Sequence, residues 1–125
     1  MATQETHFLN VDLDIYSRKN LDALVAAFGQ RVVVLFAGKN RRTYEAHLEI
    51  SAAAKNPDRV IRAFVRLIQA LPPSARRDWN AATHREFSIG IQAGAQPNAQ
   101  DFLIDAATIA LAAKVNAAIS ITIYA

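Results

Sequence analysis

The sequence predicts an α+β domain: one mostly antiparallel sheet with helices against one face and a polar second face open to water. Two observations carry this. Several segments alternate apolar and polar side chains with a period of two, so each strand buries one side only. Between them lie stretches whose apolar residues recur at helical spacing, as expected of helices with one buried stripe.

Taken in order, residues 7–16 put Leu9, Val11, Leu13 and Ile15 on one side and Asn10, Asp12, Asp14 and Tyr16 on the other. Ser17 or Asn20 can cap a short helix with Leu21, Leu24, Val25 and Phe28 inward, and Gly29 suits the left-handed position that ends it. Residues 31–37 form a nearly continuous apolar run, read as a second strand, with Gly38-Lys39-Asn40-Arg41 as a hairpin turn. The third strand sends Tyr44, Ala46, Leu48 and Ile50 inward and Thr43, Glu45, His47 and Glu49 outward.

A longer helix starts at Asn56-Pro57 and runs to about Leu71, with an apolar stripe that includes Val60, Ile61, Phe64, Val65 and Ile68. Pro72-Pro73 ends it, and a helical turn over residues 74–80 carries Trp79, read as a lid on one edge of the core whose indole N–H is satisfied locally. The fourth strand turns Phe87, Ile89 and Ile91 inward. Phe102-Leu103-Ile104 is expected as a brief strand returning beside it, Asp105 as the cap of another helix, and Ile119, Ile121 and Ile123 as the inward side of a closing strand. The order β-α-β-β-α-β is ferredoxin-like, with a helix and strand appended. The stretches 9–37 and 102–125 also share a strand, cap, helix, strand order, a weak internal echo.

A chain of 125 residues makes one domain, 1–125, large enough to fold without a disulfide or metal. The absence of cysteine excludes a disulfide framework, a zinc ribbon and a thiol nucleophile. Neither a signal peptide nor an apolar stretch of membrane-spanning length is present, so a cytoplasmic location and no membrane partner are expected. The chain lacks G-x-G-x-x-G, H-E-x-x-H, G-x-S-x-G and a Walker loop. His7, His47 and His84 fall in no triad spacing; His7 reads as a frayed strand start and His84 as a loop residue. The expectation is a non-enzyme with no cofactor.

The end of the chain, Phe102-Leu103-Ile104-Asp105, an alanine-rich helix and Ile119-Ser120-Ile121-Thr122-Ile123-Tyr124-Ala125, resembles that of small uncharacterised bacterial α+β domains. Some such domains are antidotes to toxins. The resemblance implies an immunity-like, protein-binding role and carries over no catalytic residue.

With the first and third strands adjacent, Asp12, Asp14 and Tyr16 meet Glu45, His47 and Glu49 on the exposed face. Like charges facing one another weaken a sheet. The bland reading is a solvated face that keeps the protein in solution; the functional ones are a surface for a basic protein or another copy, or a small-ligand or divalent-metal site. Base stacking on the central strands is excluded, because acids stand where aromatics are needed and repel phosphate. A phosphate-binding face would have to use Arg59, Arg62, Arg66, Arg76 and Arg77 on the helix side. The net charge of +3 permits nucleic acid without requiring it.

Overall fold

The structure, a computed structural model, describes residues 5–51, 55–95 and 99–125. Its strands are β1 (His7–Ser17), β2 (Val32–Asn40), β3 (Thr43–Ile50), β4 (His84–Gln92) and β5 (Ala118–Tyr124). The helices are α1 (Asp22–Phe28), α2 (Pro57–Gln69), α3 (Pro73–Ala81) and α4 (Ala106–Lys114), with a 3-10 turn at Gly29–Arg31. The strands form one open mixed sheet in the order β2-β3-β1-β4-β5. Antiparallel pairing joins β1 to β3 and β4 and β2 to β3, while β5 runs parallel to β4. A parallel neighbour needs a crossover, and α4 supplies it.

The alternating pattern does what it predicts at the centre of the sheet. Leu13, Ile15, Leu48 and Phe87 are fully buried, joined by Val11, Ala46 and Ile89, and the helices lay Leu24, Ile61, Phe64 and Ile68 on them. Each such aliphatic or aromatic side chain contributes about 1.5–3 kcal/mol by leaving water. Asn56 caps α2 by accepting from the Arg59 N–H at 2.9 Å, with Pro57 in the first turn, and Asp105 caps α4 by accepting from the Ala106 N–H. At α1 the capping position belongs to Leu21; Asn20 Oδ1 instead accepts the Asp22 N–H at 2.7 Å. Gly29 holds φ +67°, which favours glycine.

Several expectations need correction. Phe102-Leu103-Ile104 makes no strand, and Leu103 is 78% exposed. A strand there would have needed a free ladder, but β5 fills the place beside β4. The internal echo therefore lacks its first member in the second half. The hairpin bends at Arg41-Arg42, since Gly38, Lys39 and Asn40 still pair with Glu45, Tyr44 and Thr43, and Arg41 takes φ +59°. Leu9 is the extra residue of a bulge between Phe8 and Asn10, so Phe8 takes the inward place opposite Ile91. Ile121 and Ile123 align with Ile89 and Ile91 but remain 62% and 66% exposed, because the helix layer stops short of this edge.

Trp79 is fully buried, yet its indole N–H donates to the Val115 carbonyl at 3.0 Å, tying α3 to the end of α4 rather than to its own surroundings. His84, expected in a loop, opens β4 and pairs with Glu86 at 2.9 Å.

Candidate functional site

The open face is built by strand parity. On β1 the outward positions are Asn10, Asp12, Asp14 and Tyr16; on β3 they are Glu45, His47 and Glu49. The register sets Asp14 across from His47 and Tyr16 across from Glu45, so the sequence-named residues do meet. On the other flank, β4 sets Glu86 across from Asp14 and His84 across from Tyr16. Five carboxylates, of Asp12, Asp14, Glu45, Glu49 and Glu86, thus share a face on which His47 and His84 lie among them, with Arg41 and Arg42 at its hairpin end.

The face divides into two clusters. In the first, Asn10 Nδ2 donates to Asp12 Oδ1 at 3.0 Å and to Glu49 Oε1 at 2.8 Å, bridging two carboxyl groups. Burial, then the charges of Glu49 and Asp14, push the Asp12 carboxyl up to about 6. Below that pH Asp12 carries a proton and can hydrogen-bond Glu49; above it, two carboxylates face each other.

In the second cluster His47 Nδ1 lies 2.7 Å from Asp14 Oδ1, and Nε2 lies 3.3 Å from Glu45 Oε2. Burial works against the imidazolium, but the hydrogen bonds to Asp14 and Glu45 outweigh it and hold the pKa above the usual histidine value. With both ring nitrogens engaged by carboxylates, the protonated form of His47 is favoured.

Aromatic rings frame the clusters. Tyr16 meets His47 edge-on at 5.7 Å between centroids, and Phe36 of β2 lies 6.1 Å from His47. Burial, then Asp14, Glu45 and Glu86, raise the Tyr16 phenol above its ordinary value. Hydrogen bonds from His84, then from Ser120 at 2.8 Å, lower the Glu86 carboxyl. Toward the hairpin the face ends in an open cleft of about 700 Å³ lined by Tyr16, Asn40, Arg41, Arg42, Thr43 and Glu45.

Sequence reasoning missed the roles of two residues, one on this face and one on the helix side of β4. Gly90 is the outward residue where β4 passes Asn10: a Cβ there would stand 2.9 Å from Asn10 Oδ1 and 3.5 Å from the Tyr124 ring. Its place among alternating residues was a signal that a close approach was coming. Arg85 was invisible by pattern; its guanidinium donates to the carbonyls of Trp79, Ala82 and Asn116 and closes the end of the sheet.

The helix-side arginines do not form one free cationic face. Arg62 pairs with Asp58 and Asp105 and donates to the buried Thr108 hydroxyl at 2.7 Å, and Arg76 donates to the Ile68 carbonyl. Among the described residues no group of three or more histidine and acidic side chains is arranged to hold a metal ion. Nor is any described helix long and apolar enough to cross a membrane. Compared with family models, curated proteins and solved structures, the chain matches none.

Proposed function

We propose that this chain is a non-catalytic protein-binding module whose open sheet face, centred on Asp12, Asp14, Tyr16, Glu45, His47 and Glu49, takes a basic partner or a basic patch on another copy. The observation that carries the reading is the crowding of carboxylates on that face, where the outward positions of β1, β3 and β4 hold neither lysine nor arginine. A lysine or arginine brought to Asp12 and Glu49 relieves a repulsion that folding leaves in place. A cytoplasmic setting and an immunity-like role belong to the same proposal, as does reading β1 to β4, in the order β4-β1-β3-β2, as ferredoxin-like with α4 and β5 appended.

The test is calorimetric titration with a lysine- and arginine-rich peptide at low salt. Binding should tighten several-fold between pH 5 and pH 7.5 as Asp12 loses its proton, and weaken as salt screens the face. The pair Asp12→Lys and Glu49→Lys should abolish it without unfolding the chain. Binding that ignores pH, or survives the charge reversal, would sink the proposal. Heat on adding zinc, manganese or calcium, lost in the same variants, would instead support the small-ligand or metal alternative.

A further inference from the structure

A second surface lies at the edge of the sheet, along the outer side of β2 where it borders the acidic face. No described residue pairs with the outer side of β2, which leaves a row of backbone N–H and C=O groups open along a strand of nine residues. Natural edge strands are usually blunted by charge, by proline or by shortness. Here Val33, Val34, Leu35 and Phe36 are consecutive and each 45–49% exposed, and the protective devices are the bulge at Leu35 and Lys39 near the strand's end. Val33 and Phe36 align with Glu49 and His47 on the open face, whereas Val34 aligns with the buried Leu48 on the helix face. Both sides of the edge therefore offer apolar contact to an incoming strand.

The charges at its two ends select the occupant. Arg31 stands before β2, and Lys39, Arg41 and Arg42 stand at its far end; all four are exposed, and among the described residues none makes an ion pair with an acid. A second copy fits poorly, because antiparallel pairing about Leu35 sets each Arg31 against the other copy's Lys39. We infer that the β2 edge is a docking site for an extended segment of another protein, apolar at its centre and acidic at both ends, which adds as a sixth strand beside the five present. Main-chain hydrogen bonds supply the adhesion and the basic ends set direction and choice.

The experiment is a titration of the isotopically labelled protein with two peptides followed by amide NMR. Both alternate valine and threonine; one carries paired glutamates at each end, the other paired lysines. The glutamate peptide should shift the amides of β2 and bind at least about tenfold more tightly at low salt, a preference that salt erodes. Leu35→Asp should abolish binding, and Arg31→Glu with Arg42→Glu should reverse the preference, each with an unchanged circular dichroism spectrum. Equal affinity for the two peptides, no binding of either, or shifts confined to Asp12, Asp14 and His47 would overturn the inference. So would a concentration-dependent dimer that Leu35→Asp dissociates, which would assign the edge to a second copy.

Discussion

Asp12 sets how stability responds to pH. Its carboxyl titrates at about 6 in the folded chain and near 3.9 when unfolded, so the folded state holds the proton more tightly. The stabilisation this brings is complete below about pH 4 and is lost as pH rises through about 6. His47, raised above 6.5 by Asp14 and Glu45, acts in the same direction at somewhat higher pH. Stability should therefore fall between pH 4 and pH 7.5. Asp12→Asn keeps a donor toward Glu49 and removes the charge. It should stabilise the protein at pH 7.5 by about 1 kcal/mol, a value already reduced for solvent screening, and change little at pH 4. Urea midpoints at the two pH values check this; an equal shift at both would mean that the charge is not responsible. Gly90→Ala tests the neighbouring contact. Its methyl would displace Asn10 from its bridge, at a cost of about 1–2 kcal/mol, and Asp12→Asn in the same chain should recover part of that loss.

At the scale of elements, equal sequence patterns have unequal weight. Ile89 and Ile123 sit at like positions in alternating strands, yet one is 2% exposed and the other 66%. Ile89→Ala should cost about 2–5 kcal/mol, whereas Ile123→Thr should stay within about 0.5 kcal/mol in the same denaturant melts. The difference is cover: β4 lies in the interior of the sheet under helices, and β5 is its last strand. Trp79 joins α3 to the end of α4 through its indole, and the Arg85 guanidinium lies 5.9 Å from its ring centroid. Trp79→Phe leaves the Val115 carbonyl without this donor and opens space beside it. A loss of about 2–3 kcal/mol should appear in thermal or urea unfolding.

The whole molecule joins these elements around one contiguous core that draws on α1 to α4 and on the inward side of the sheet. A single core of this size should unfold in one cooperative step. Trp79, the only tryptophan and fully buried, gives a direct check: its fluorescence and the far-ultraviolet circular dichroism should share one urea midpoint. Two separated midpoints would mean that the α3–α4 corner opens before the sheet. The two proposed surfaces adjoin where Val33 and Phe36 meet Glu49 and His47, but one uses side chains across β1 and β3 and the other the free backbone side of β2. Charge reversal at Asp12, two strands away on β1, should leave peptide addition at β2 intact.

What the sequence determined by itself was local and periodic. Alternation in residues 11–15 and 44–50 decided which side chains enter the core and which acids face outward, because strand parity is a covalent property of the chain. Asn56-Pro57 and Asp105 marked helix starts because capping is a contact between near neighbours. The tertiary structure alone decided what stands opposite what. Asn10 bridging Asp12 to Glu49, the enclosure of His47 by two carboxylates, and the Trp79 bond to Val115 all join residues distant in sequence. It also decided cover: no local pattern distinguishes Ile89 from Ile123, since burial depends on where the helix layer ends and not on the strand that it covers.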